Sequence, residues 1–181
     1  MQIIKTNLEG CYIIQPKLFK DERGSFFESF NSKIFEEQTR LNLNFVQDNQ
    51  SHSSKGVLRG LHFQKGKDAQ AKLVRVVRGS VQDVVVDIRP KSKTFGAHFS
   101  IELSEENNTQ LFIPKGFAHG FLVMEDDTIF TYKCDNFYNK ESESGIIYND
   151  VNLGIEWKSL GVDYKLSDKD LELPKLENLS L

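Results

Sequence analysis

Apolar and polar positions alternate over short distances along most of the chain, a pattern of half-buried strands rather than of amphipathic helices. Runs of this kind at residues 11–14, 26–30, 45–51, 72–77, 81–88, 98–103, 117–123 and 129–132 predict strands. Glycine, asparagine and charged clusters at 21–24, 53–56, 65–68 and 104–108 supply the turns, and neither a low-complexity linker nor an internal repeat interrupts them. One helix is predicted to begin at Asn31, whose side chain can cap it while Phe30 and Phe35 staple the first turn. A second is predicted from Ser167. Many short strands with few helices predict a mainly β fold, a jelly-roll sandwich or barrel with short peripheral helices, rather than a parallel α/β sheet.

At 181 residues the chain suits a single domain over 1–181. Its net charge of -3 gives no electrostatic footprint for nucleic acid. No apolar stretch approaches the ~20 residues that span a bilayer, and the first residues lack a signal-peptide core, so a cytoplasmic protein is expected. Two cysteines, Cys11 and Cys134, make neither a disulfide framework nor a four-ligand zinc site, and buried thiols are expected.

Candidate chemistry concentrates in GVLRGLHFQ (56–64) and IPKGFAHGF (113–121), each with one histidine beside glycines that let backbone approach closely. Lys72 lies between them among valines, and Tyr132 follows. A base, a cation and a phenol suit chemistry beside a carbonyl. Alternation puts Gln47, Asn49 and Ser51 on one strand face, where amides and a hydroxyl can recognise a sugar or phosphate, or simply meet water. Lys72 shares a face with Val74 and Val76, so it either points into a cavity or snorkels to solvent. Arg59 and His62, three positions apart, face opposite ways on a regular strand. A bulge at Gly60 would bring them together; otherwise His62 is a packed core histidine and Arg59 a surface arginine. His119 has the same two readings, ligand contact or structural histidine.

Pro114 to His119 resembles the second motif of the cupin superfamily. The first cupin motif needs His-x-His, but His62-Phe63-Gln64 has glutamine in the second place, which argues against a bound metal. A fuller match follows from DERGSFFESF (21–30), QDNQSHSSKGVLRGLHFQ (47–64), AKLVRVVRGSVQDVVVDIRPKSKTFG (71–96), IPKGFAHGF and the stretch 132–143. In their order and spacing these resemble, nearly end to end, the dTDP-4-dehydrorhamnose 3,5-epimerase family of metal-free cupins. Phe63, where the family often has tyrosine, and Val151, where it commonly has proline, are small departures.

The resemblance implies a cofactor-free epimerase acting on a dTDP-linked 4-keto-6-deoxyhexose. By it, His62 is the general base at C3 and C5, Tyr132 the acid on the opposite face, Lys72 the cation at the C4 oxygen, and Asp170 the carboxylate orienting His62. Asp170 also falls at the capping-box position after Ser167, so local capping stays open. Substrate contacts are implied for Arg23, Glu28, Gln47, Asn49, Arg59, His119, Glu143 and Lys169, with Tyr138 stacking on the thymine. The family further implies a homodimer in which Arg23 and Glu28 reach the neighbouring subunit's site. Two other readings are an epimerase acting at C3 or C5 alone on a related nucleotide sugar, and a non-catalytic cupin that binds a nucleotide sugar or a metal.

Overall fold

The computed structural model describes residues 1–180. In chain order its elements are β1 (Gln2–Lys5), β2 (Tyr12–Gln15), β3 (Phe19–Asp21), β4 (Gly24–Phe26), α1 (Ser32–Thr39), β5 (Gln47–Ser53) and β6 (Leu58–Gln64). They continue as β7 (Lys72–Arg78), β8 (Ser80–Asp87), β9 (His98–Ser104), β10 (Gln110–Ile113), β11 (Phe117–Val123), β12 (Thr128–Cys134), β13 (Glu143–Gly145) and α2 (Asp168–Leu171). One sheet runs β1-β2-β10-β7-β12-β5 and faces another running β13-β6-β11-β8-β9. Neighbouring strands within both are antiparallel. This is a cupin-like jelly roll. Among the described residues, no helix is long and apolar enough to cross a membrane.

Burial explains the sequence pattern. Val81 and Val85 of β8 join Val74, Val76, Leu111, Phe121 and Phe130 between the sheets, while Val84 and Val86 pack outward on Leu61, Ala118 and Ile146. With both faces covered, β8 reads as a dense apolar run rather than a strict alternation. The outward face of the first sheet is covered by α1, whose fully buried Phe35 meets Phe112 with ring centroids 5.0 Å apart. Asn31 caps this helix by accepting a hydrogen bond from the Ile34 amide, and Phe30 lies 5.9 Å from Phe35 as the staple requires. Both cysteines are buried, and burial pushes the Cys11 thiol up to about 12.

Residues 26–30 are not the predicted strand. β3 and β4 form a separate hairpin that ends at Phe26. The chain then turns so that Phe27 meets Arg75 and Phe30 tucks between Phe35 and Phe45, contacts an extended strand would forgo. The pattern also misses β1, β3, β4, β10 and β13, which are too short to show a period, and β6, whose alternation is broken at the Gly60 bulge.

A break in register between β6 and β11 sets the interior. His62 pairs with His119 and Arg59 with Phe121, so Gly60 and Leu61 on one strand oppose Gly120 alone on the other. This is the bulge that brings Arg59 and His62 to one side. Gly60 has φ +119°, and a Cβ on it would sit 2.5 Å from the Gly120 Cα. A Cβ on Gly120 would sit 2.7 Å from the Arg59 carbonyl oxygen. Only glycine at both positions allows the two backbones to touch. Nearby, the buried Asp87 carboxylate accepts hydrogen bonds from Arg89, Ser92 and Thr94, which outweigh its burial and hold it well below the usual carboxylate range. Arg89 in turn covers the Phe117 ring at 4.6 Å and fixes the start of the strand that carries His119.

Gly120→Ala should therefore cost about 1–3 kcal/mol through overpacking. The measurement is urea unfolding followed by intrinsic fluorescence, with a lowered midpoint expected. A midpoint equal to that of the unsubstituted protein would show that the strands do not meet at this glycine pair.

Candidate active site

Five strands deliver side chains to one cavity of about 310 Å³. Its walls include Asn49 and Ser51 from β5, Arg59 and His62 from β6, Lys72 from β7, His119 from β11 and Tyr132 from β12. An adjoining space of about 260 Å³ shares Asn49, His62, Lys72 and Tyr132 and continues to Gln47, Tyr138 and Glu143. The alternation on β5 holds, because Gln47, Asn49 and Ser51 face inward and partly buried while Asp48, Gln50 and His52 are exposed. Lys72 points into the cavity, its Nζ 5.7 Å from the centre of the Tyr132 ring.

His62 Nε2 lies 2.5 Å from Asp170 Oδ1, a contact made across 108 residues of sequence. Ser167 caps α2 by accepting from the Asp170 amide, and its hydroxyl donates to Asp170 Oδ2 at 2.9 Å. Asp170 thus sits in the capping turn and also holds His62. Burial alone would raise the Asp170 carboxyl, but hydrogen bonds from His62, Ser167 and the Gly60 amide prevail and lower it. With Nε2 occupied, Nδ1 is the His62 nitrogen left to meet a ligand.

Desolvation shapes the other two groups. Burial lowers the Lys72 ammonium, against the opposing pull of Cys134, Asp83 and Glu143. Burial also raises the Tyr132 phenol, so it stays protonated well past neutral pH. A partly dehydrated ammonium beside a protonated phenol and an imidazole can move protons at a carbon next to a carbonyl and steady the charge that forms.

The mouth is a hydrogen-bonded cluster. Glu143 accepts from the Tyr138 hydroxyl at 2.8 Å and pairs with Lys169 at 2.5 Å. Gln47 accepts from the Tyr138 amide and donates to Asn49, both at 3.0 Å. The Tyr138 ring is exposed, a flat apolar surface open to a ligand. Arg59 reaches Ser53 at 3.3 Å. Arg23 and Glu28 do not line the cavity: Arg23 is exposed on the β3–β4 hairpin and pairs with Asp21, and Glu28 is exposed just beyond it.

Gln64, which stands where a metal-binding cupin has histidine, is a clamp for the mouth. It donates to the carbonyls of Asp68 and Phe137 and accepts from the Asn139 amide, bracketing Tyr138. Among the described residues, no group of three or more His, Cys, Asp or Glu side chains converges as ligands. One site group escaped the sequence reading: the fully buried Asp83 on β8, whose Oδ2 lies 2.8 Å from His119 Nε2. An acid among the valines of the run 81–88, where Asp87 is the only other one, was the available signal.

Known proteins resemble this chain closely. The dTDP-4-dehydrorhamnose 3,5-epimerase of Shigella flexneri is 53% identical over 171 residues, 94% of this chain and 93% of its own length. The crystal structure of dTDP-4-dehydrorhamnose 3,5-epimerase from Elizabethkingia anophelis NUHP1 matches with a TM-score of 0.94 at 56% identity, covering 98% of this chain and 97% of that one. A dTDP-6-deoxy-D-glucose-3,5-epimerase from Legionella pneumophila Philadelphia 1, solved in complex with dTDP-4-keto-L-rhamnose, matches with a TM-score of 0.94 at 49% identity, covering 99% and 94%. The family model described as dTDP-4-dehydrorhamnose 3,5-epimerase matches residues 5–178. On this evidence the chain belongs to the dTDP-4-dehydrorhamnose 3,5-epimerase family, and it is an isomerase.

Proposed function

We propose that this protein inverts C3 and C5 of dTDP-4-dehydro-6-deoxy-D-glucose to give dTDP-4-dehydro-L-rhamnose, with His62 as base and Tyr132 as acid. The observation that carries this reading is that both side chains, with Lys72, line one cavity. His62, oriented by Asp170, takes a proton from the carbon next to the C4 ketone through Nδ1. The electron pair moves onto the ketone oxygen, where the Lys72 ammonium stabilises it in a site with little water. Tyr132 then delivers its proton to the same carbon from the opposite face, and exchange with solvent restores both groups. The second carbon follows by the same steps.

Substrate binding divides along the two connected spaces. The hexose occupies the space walled by Arg59, His62 and His119, and the nucleotide extends to the mouth at Tyr138, Glu143 and Lys169. Arginine and lysine suit the diphosphate, and Gln47 and Asn49 suit hydroxyls. The active unit in this reading is a homodimer in which Arg23 and Glu28 complete the neighbouring subunit's site. Support comes from the hairpin itself, which leaves Phe19 and Phe26 exposed at 54% and 70%.

In deuterated water the wild-type protein should label both C3 and C5, read by NMR of the product. His62→Ala should abolish both exchanges, while Tyr132→Phe should keep some exchange yet lose inverted product, each change lowering turnover by about 10²- to 10⁴-fold. Label at one carbon only would make the protein a single-site epimerase, and normal turnover by His62→Ala would remove the proposed base.

Asp170 adds a pH signature. Its carboxyl is lowered by folding, so its contribution to stability is complete above the unfolded value of about 4 and is lost as pH falls through the folded value. Chemical denaturation of the wild type and Asp170→Asn should therefore show a stability gap that is widest above about pH 4 and narrows in acid. A gap independent of pH would mean that the Asp170 charge is not held by His62 and Ser167.

A further inference from the structure

Asp83 is a carboxylate where stability alone would favour a valine. It is fully buried, on the β8 face that Val81 and Val85 give to the core between the sheets. Its Oδ2 meets His119 Nε2 at 2.8 Å, and its Oδ1 lacks a hydrogen-bonding partner among the described residues. A buried carboxylate with one unsatisfied oxygen is costly, and apolar replacements of such pairs often leave a fold as stable or more so. The pair must be retained for something other than stability. The register supplies a reason: His119 is the direct cross-strand partner of His62, so the cavity holds two imidazoles side by side, each with Nε2 on a buried aspartate.

We propose that Asp83 is a positioning residue that keeps the His119 proton on Nε2 and thereby presents Nδ1 to the hexose. A carboxylate accepts only, so Nε2 must carry hydrogen to meet it. The ring also packs against the stacked pair Phe121 and Phe130, whose centroids lie 6.2 and 6.1 Å from it and 4.1 Å from each other. The Asp83 charge additionally favours the ammonium form of Lys72 against its burial, which ties the same residue to the cation at the ketone oxygen. The hexose contact rests on the epimerase reading; the tautomer does not.

The test uses protein labelled with ¹⁵N-histidine, with the His119 signals assigned by their loss in His119→Gln. Without substrate, wild-type His119 should show a single tautomer protonated at Nε2, and Asp83→Asn, which keeps the shape but offers an amide of either polarity, should lose that single state. With substrate, Asp83→Asn should lower kcat about 10- to 100-fold while KM stays within about threefold, as expected of a group that acts through another. A wild-type His119 protonated at Nδ1, or an Asp83→Asn variant with unchanged kcat, would overturn the assignment. If the wild type labels neither sugar carbon, the epimerase reading fails, while the spectrum still decides the role of Asp83.

Discussion

The site depends on one contact between two backbones. Where Gly60 meets Gly120, β6 carries one residue more than β11, and that extra residue turns Arg59 to the same side as His62. Without it, strand alternation would send one of the two to the far face, and the cavity would lose either its imidazole or its guanidinium. The neighbouring elements reinforce the arrangement. The Gly60 backbone also helps to lower the Asp170 carboxyl, so the bulge bears on the carboxylate that holds His62. Leu61, the other residue of the bulge, packs with Val84, Val86 and Ala118 on the outer core.

Around this contact the fold arranges charge in a partly dehydrated space. Two aspartates buried behind the cavity each hold a histidine, and Lys72 enters the same cavity from the opposite sheet under a burial effect that weakens its charge. Tyr132 is pushed the other way and keeps its proton. Both effects have one origin, since burial favours the neutral form of each group: it weakens the Lys72 charge and keeps the Tyr132 phenol protonated. Asp83, with one buried oxygen left without a partner, is the carboxylate whose place is explained by the cavity rather than by the core.

Much of this could be read from the chain. Asn31, Phe30 and Phe35 announced α1 through local capping chemistry, and the apolar run 81–88 announced the strand β8. The parity conflict between Arg59 and His62 raised a bulge at Gly60 as one of two readings, and the register break is the one found. Other parts were not legible from local pattern. Asp170 meets His62 across 108 residues, so only the family resemblance suggested it. Asp83 looked like an ordinary polar break in a strand, because its partner lies on a strand 36 residues away. Residues 26–30 carried a strand-like composition, yet Phe30 turns in to pack against Phe35 of α1 and Phe45.

The most direct test is a crystal structure with a dTDP-linked 4-keto-6-deoxyhexose bound. The account predicts His62 and Tyr132 on opposite faces of the hexose ring, within hydrogen-bonding reach of about 3.2 Å of the acidic carbons' protons or one water away, and the Lys72 ammonium on the C4 oxygen. A hexose lodged outside this cavity, or one with both side chains on the same face, would contradict it.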